Sequence, residues 1–97
     1  MTQSKLISDK VLIPFNEWSK ERIRQGRKFM TSRHKRYDKD PRVFMILPKM
    51  AWGEIRDKFW QLEGADSIME LQEVIESIYK RTVTLDEMFY PHLGDFR

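Results

Sequence analysis

The stretch Trp18–Arg33 constrains the fold most, because its pattern changes from helical to extended at a single glycine. Asn16 is a suitable N-cap for a helix, and Glu17 adds negative charge to the first turn. Gly26 is typical of a helix C-terminus. Residues 28–33 then alternate in the way that is typical of a strand. The sequence therefore predicts a short helix, a tight turn and a strand in direct succession.

Three further short runs favour strands because they are rich in β-forming residues. Val11–Phe15 and Met88–Leu93 each contain a proline, Pro14 and Pro91, which predicts edge strands or bends. Val43–Leu47 is a continuous apolar run, which predicts a central strand that is buried on both faces.

Two stretches carry apolar residues at steps of three and four, which predicts helices. The first begins near Trp52, includes Leu62 and ends at Gly64; the second, Ile68–Tyr79, follows a capping box at Ser67. The predicted fold is α+β, with a small, curved sheet of about four to five short strands covered by three helices.

Length and composition limit the classes of protein that fit. A chain of 97 residues suits one domain, expected at residues 10–97 after a flexible tail at 1–9. The absence of cysteine excludes a disulfide framework and fits a reducing compartment. With no apolar run of about 18 residues and no signal-peptide core, we expect a cytoplasmic protein without a membrane partner. His34 and His92 form no metal motif, so we expect no metal and no cofactor.

Positive charge is concentrated in one part of the chain. Residues 20–42 contain ten basic and three acidic residues, a net charge of +7, whereas the remainder carries −4. Such a concentration is typical of a solvated face or of a site for a polyanion, here RNA or a nucleotide. Within it, Arg33, Lys35 and Arg36 are candidates for phosphate contacts, and Tyr37 is a candidate for stacking on a base.

The chain resembles the ASCH domain family of the PUA-like superfamily over roughly residues 11–96. Three motifs carry the resemblance, and they occur in the family's order. They are Gly26, Lys28, Thr31 and Arg33 in the turn and strand, Glu63-Gly64 before the serine-capped helix, and Phe89-Tyr90-Pro91-His92 near the end. The segment from His34 to Arg42 lacks the family's glycine-aspartate turn and extra strand pair. The resemblance therefore implies a short member whose barrel is reduced or open on that side.

The resemblance also implies a cleft for RNA or a nucleoside. Some members hydrolyse acetylated cytidine with a lysine, a threonine and a glutamate that match Lys28, Thr31 and Glu63; others are ribonucleases or RNA-binding regulators. The predicted binding residues are Arg27, Lys28, Thr31, Arg33, Lys35, Arg36 and Tyr37. Whether the chain is an enzyme stays open. A small protein-interaction domain is a further alternative, and exposed sheet edges also permit a homodimer.

The chemistry depends on one geometric condition. A threonine hydroxyl needs a base, and a lysine is a base only when burial or neighbouring cations such as Arg27 and Arg33 lower its pKa. Glu63 either transfers a proton or pairs with Lys28. In a regular strand Lys28 and Thr31 point to opposite faces, since their spacing is odd. Lys28 must therefore lie in the bend after Gly26.

Overall fold

The structure is a computed structural model that describes residues 12–97, so the expected tail at residues 1–9 lies outside the described residues. In chain order the elements are α1 (Glu17–Arg24), β1 (Met30–Arg33), β2 (Val43–Ile46), β3 (Met50–Ala51), α2 (Trp52–Phe59), α3 (Ile68–Tyr79) and β4 (Met88–Gly94). Over this range the fold is α+β, with three helices and an open antiparallel sheet of four strands. The coarse fold class predicted from the sequence is confirmed.

Strand β4 is the centre of the sheet. On one side it pairs with β1, with Met30 opposite Leu93. On the other side the chain runs antiparallel to it through β2 and then β3, from Val43 opposite Gly94 to Ala51 opposite Met88. All the strand pairs of residues 12–97 therefore include β4.

Of the two alternatives predicted for Pro91, an edge strand or a bend, the edge is wrong, because β4 pairs with β1 on one side and with β2 and β3 on the other. Pro91 lies opposite Ser32 of β1, and its carbonyl accepts a hydrogen bond of 2.9 Å from the amide of Leu47. The carbonyl of Pro91 therefore points toward the gap between β2 and β3, where Leu47 lies. A proline is tolerated here because the ladder is already broken where its N–H would have donated.

The prediction of a central, doubly buried strand at Val43–Leu47 is also wrong. Strand β2 lies at the edge of the sheet, and Phe44 is 72% exposed and Met45 51% exposed. The pairing register shifts between Val43 and Met45, which marks a bulge. An unbroken apolar run gives no period that distinguishes an edge from a centre, so the pattern misled the prediction.

No strand forms in the described part of Val11–Phe15, residues 12–15, which corrects a third prediction. Side chains bind the backbone of this segment instead. The amide of Ile13 donates to Asp40 at 2.8 Å, and its carbonyl accepts from Arg42 at 3.0 Å. The carbonyl of Pro14 accepts from Arg33 at 2.7 Å. These contacts satisfy backbone groups that a strand ladder would otherwise use.

The predicted helix starts are confirmed. Asn16 caps α1 by accepting from the amide of Ser19 at 2.9 Å, and Ser67 caps α3 by accepting from the amide of Glu70 at 3.0 Å. Helix α2 ends at Phe59 rather than at Gly64, so Leu62 lies on the following turn and not on the predicted apolar stripe.

The helices and the sheet enclose two apolar clusters. The larger consists of Trp52, Ile55, Ala65, Leu71, Ile75, Val83 and Phe89, with Trp18 and Trp60 packed against it. The smaller consists of Ile13, Ile23 and Phe96, with Phe15 and Tyr37 packed against it. Within residues 12–97, no helix combines the length and the apolar character needed to cross a membrane.

Candidate functional site

A tight turn places Lys28 outside the alternation of β1. Gly26 has a φ of +70°, which closes helix α1, and the amide of Arg27 donates to the carbonyl of Arg22 at 2.9 Å. The strand begins only at Met30. Lys28 therefore lies in the bend after Gly26, which is the position that the sequence analysis requires for it to face the same site as Thr31.

A second turn brings Glu63 to Lys28. The amides of Phe29 and Met30 both donate to the carbonyl of Leu62, at 2.8 and 3.1 Å. Gly64 has a φ of +93°, and a β-carbon there would lie 3.1 Å from the β-carbon of Lys28. Glycine thus provides both the backbone conformation and the close approach of the two turns.

Helix α1 fixes this second turn through one long side chain. Arg22 donates from Nε to the carbonyl of Gly64 at 3.0 Å and from Nη2 to Glu70 Oε2 at 3.0 Å. Its guanidinium lies 4.8 Å from the centre of the Trp18 ring, which favours a cation–π contact. Arg22 is absent from the predicted site residues, yet it ties α1, the turn and α3 together around Glu63.

Lys28, Glu63 and Ser32 form a buried network. Lys28 Nζ lies 3.0 Å from Glu63 Oε1 and donates to the carbonyl of the same residue at 3.1 Å. The Ser32 hydroxyl donates to the other carboxylate oxygen, Oε2, at 2.7 Å. All three side chains are buried. Each carboxylate oxygen of Glu63 therefore has a donor, which is the condition for burying a charge without a large penalty.

The surroundings of Lys28 affect its pKa in opposite directions. Burial lowers the pKa of Lys28, and this is the dominant cause; the negative charge and hydrogen bond of Glu63 raise it, and the charge of Arg33 lowers it. The net direction is below the ordinary value for lysine. Lys28 thus releases its proton more readily than an exposed lysine does, which is a requirement for a lysine base.

The network borders a small pocket of about 30 Å³, which is room for about two water molecules. Its polar lining consists of Lys28, Thr31, Ser32, Arg33 and Glu63. Its apolar lining consists of Trp18, Trp52, Leu71, Val74, Ile75, Ile78 and Tyr79. A pocket of this size accepts one small group of a ligand rather than a whole nucleoside.

Arg33 is held in a fixed position at this pocket. Its Nε donates to the Thr31 hydroxyl at 3.3 Å and its Nη2 to the carbonyl of Pro14 at 2.7 Å. The guanidinium also lies 5.5 Å from the centre of the Phe15 ring. The structure thus brings together Lys28, Thr31, Arg33 and Glu63, four of the predicted site residues.

The other predicted binding residues lie elsewhere. Arg27 contacts Asp66 on a surface shared with Trp60, away from the pocket. Lys35 and Arg36 are exposed in the segment between β1 and β2. Tyr37 packs against the smaller cluster, and its amide donates to His92 Nε2 at 2.9 Å. The ring of Tyr37 is therefore half-buried and is not presented as a free stacking platform.

The sequence analysis did not predict Ser32 as a site residue, and the reason is clear. It alternates with Thr31 and Arg33 in the sequence, which places it on the opposite face of the strand together with Met30. A hydroxyl on a buried apolar face needs a hydrogen-bond partner. That requirement was the available signal, but the partner Glu63 is 31 residues away in the chain.

Within residues 12–97, no three histidine, aspartate or glutamate side chains are arranged to hold a metal ion. Comparison with protein-family models, curated proteins and solved structures found no match to the chain.

Proposed function

We propose that the chain is an RNA- or nucleotide-binding module of the ASCH type, with a reduced PUA-like fold. The observation that supports this proposal is the convergence of Lys28, Thr31, Arg33 and Glu63 on one pocket. These residues come from a turn, a strand and a second turn that are separated by up to 35 positions. They are also the residues that match the family's motifs.

The pocket's size and lining limit the part of the ligand that enters it. About 30 Å³ admits a small substituent, such as an exocyclic group of a base. Thr31 and Ser32 provide hydroxyls, and Lys28 and Arg33 provide cationic donors. The sugar and phosphates of a bound nucleotide would then lie outside the pocket, and Lys35 and Arg36, which are exposed elsewhere, would contact phosphates further along an RNA strand.

Filter binding to short RNAs across a salt series tests this proposal. We expect binding that weakens as salt rises, since phosphate contacts release counterions. Thr31→Val keeps the side chain's shape and removes the hydroxyl, and we expect it to weaken binding. Thr84→Val is the matched control on an exposed threonine. If the wild-type protein binds neither RNA nor a nucleoside at low salt, the proposal fails.

A second candidate function is hydrolysis of a modified cytidine, in which Thr31 acts as the nucleophile. The position of Lys28 and Thr31 on one pocket favours it, as does the burial of Lys28, which lowers the pKa of this lysine. Neutral Lys28 would accept the proton of the Thr31 hydroxyl as the hydroxyl oxygen bonds to the acetyl carbon, and Glu63 would hold the resulting ammonium in place. That ammonium would return the proton to N4 of cytidine as the bond between N4 and the acetyl carbon breaks, and water would then hydrolyse the acetyl ester on Thr31. The test is incubation with N4-acetylcytidine, with cytidine release followed by chromatography. Turnover that persists unchanged in Thr31→Val would exclude this mechanism.

A further inference from the structure

Three basic side chains on one surface lack the ion pair with a carboxylate that most basic side chains in residues 12–97 form. Basic residues elsewhere typically pair with a carboxylate, for example Arg24 with Glu21 and Lys58 with Glu54. Within the part of the chain that the structure describes, Lys35, Arg36 and Lys49 form no such pair and are exposed, as are Lys39 and Lys80. Their charge is thus available to a partner.

These cations gather around two tyrosine rings. The guanidinium of Arg36 lies 5.9 Å from the centre of the Tyr90 ring, and the ammonium of Lys49 lies 5.4 Å from the same ring. The ammonium of Lys35 lies 4.8 Å from the centre of the Tyr37 ring. The segments before and after β2 therefore both place positive charge near this strand, and Arg36 and Lys49 share the Tyr90 ring of β4.

An exposed aromatic ring lies beside this charge. Arg36 lines a shallow groove of about 210 Å³ along β2, together with Asp38 and residues 43–46. Phe44 belongs to the groove and is 72% exposed, the highest value among the large apolar residues of the described region. Phe44 was predicted to be core, so its exposure on an edge strand needs an explanation. A flat exposed ring next to free cations is typical of surfaces that bind single-stranded nucleic acid.

We propose that a single-stranded nucleic acid follows this groove, which we call the β2 groove, defined by Arg36, Asp38 and residues 43–46. A base stacks on Phe44, and phosphates contact Arg36 and the neighbouring Lys49. This inference rests on the proposed function and extends it, since it gives the path of the strand outside the pocket. Asp38 on the lining suits a strand whose bases also donate hydrogen bonds, and it disfavours a site for a bare anion.

The charge on this surface favours nucleic acid over a second copy of the chain. A two-fold pairing along the free edge of β2 places the same surface patch of each copy against its counterpart. Arg36 and Lys49 of the two copies would then approach one another, and like charges across an interface are unfavourable. A polyanionic strand neutralises them instead.

Fluorescence anisotropy with a fluorescein-labelled uridine decanucleotide tests the β2 groove. We expect Phe44→Ala to weaken binding about 5- to 150-fold, the range for loss of one base stack, with an unchanged salt slope. We expect Arg36→Ala to reduce the slope of log affinity against log salt by about 0.7, since one phosphate contact is lost. The controls are Leu85→Ala, which removes another exposed apolar side chain, and Lys80→Ala, which removes a cation elsewhere.

The outcomes separate this inference from the proposed function. If the wild-type protein does not bind the RNA, both fail. If it binds and the two groove variants bind as tightly as their controls, only the β2 groove is overturned. Light scattering on each sample identifies the other occupant: a wild-type dimer that Phe44→Ala converts to monomer assigns the surface to self-association and also overturns the β2 groove.

Discussion

Glu63 and Asp40 are both buried carboxylates, yet their surroundings differ. Asp40 accepts from the amides of Ile13 and Arg42 at 2.8 and 2.9 Å, and from Nε and Nη2 of Arg42 at 3.0 and 2.7 Å. Glu63 has two side-chain donors, Lys28 and Ser32, and lines a pocket. Asp40 thus has its acceptor capacity taken up by the chain, whereas Glu63 borders open volume.

The comparison indicates which buried charge is available for chemistry. Asp40 joins the segment before α1 to the segment before β2, and Arg42 completes the link by donating to the carbonyl of Ile13 at 3.0 Å. Burial raises the pKa of Asp40, but hydrogen bonds from Arg42 and the two amides outweigh this and lower it overall. Asp40 is therefore a fixed anion with a structural role, while Glu63 is paired with a lysine whose own pKa is lowered.

We expect the greatest loss of stability when the Lys28–Glu63 pair at the pocket is broken. Lys28→Met retains an apolar stem but leaves the Glu63 charge buried with only Ser32 as a side-chain donor. We expect a loss of about 3–5 kcal/mol in the free energy of unfolding, measured with urea.

The double variant Lys28→Met/Glu63→Leu is the control for charge. It removes both members of the pair, so we expect it to be more stable than Lys28→Met alone. Equal stability of the single and double variants would show that the buried charge is not the source of the loss.

Asp40→Asn tests whether the buried carboxylate of Asp40 has a structural role only. An asparagine side chain has only one acceptor oxygen, so it cannot accept from both Nε and Nη2 of Arg42 as the two carboxylate oxygens do. We therefore expect a loss of about 2–3 kcal/mol in the free energy of unfolding. RNA binding by the folded protein should not change, because Asp40 does not line the pocket. Asp95→Asn, in an exposed pair with Arg97, is the matched control and should change stability much less than Asp40→Asn does. A binding defect in Asp40→Asn would contradict the structural assignment.

Ser32→Ala tests the second donor to Glu63. It removes a 2.7 Å hydrogen bond to a buried carboxylate, and we expect a loss of about 2 kcal/mol in the free energy of unfolding. Ser77→Ala is the control, since Ser77 is exposed on α3 and donates only to the carbonyl of Val74. If Ser32→Ala is as stable as Ser77→Ala, Lys28 alone satisfies Glu63.

Glu87 provides a third carboxylate that is neither fully buried nor fully exposed. Hydrogen bonds from Arg81, with a smaller contribution from His34, lower its pKa from 4.5 to about 2. A lowered pKa stabilises the fold above pH 4.5, and this contribution is lost as the pH falls from 4.5 to about 2. We expect Glu87→Gln to cost about 1 kcal/mol at pH 7 after solvent screening, and to flatten the decline over that window.

Thermal unfolding from pH 7 to pH 2 measures this decline. Glu54→Gln is the control, since Glu54 forms an exposed pair with Lys58 on α2. If Glu87→Gln and the wild-type protein lose stability in parallel below pH 4.5, another group is responsible for the decline.

Local signals in the sequence were sufficient for some of these features. The turn at Gly26 and the caps at Asn16 and Ser67 depend on residues close in the chain, and each was predicted correctly. The proximity of Lys28 and Glu63 was anticipated through the family's motifs, and the two glycine turns provide its physical basis.

The features that the sequence did not predict depend on long-range contacts. The role of Asp40 requires Ile13, which is 27 residues away, and the bond of Ser32 requires Glu63. The edge position of β2 depends on the sheet order, which no local period encodes. A proline is tolerated at position 91 of the central strand because the neighbouring strand is interrupted beside it.

The pairing of every described strand with β4 has a consequence for synthesis of the chain. Strands β1, β2 and β3 precede β4, and none of them pairs with another in residues 12–97. During translation, which adds about 5–20 residues per second, the sheet cannot begin to assemble until residues 88–94 have left the ribosome. Until then the apolar faces of the helices lack the strand that they cover. The sheet therefore forms late, around β4, whereas contacts among earlier residues, such as those of Arg22 with Gly64 and Glu70, do not depend on β4.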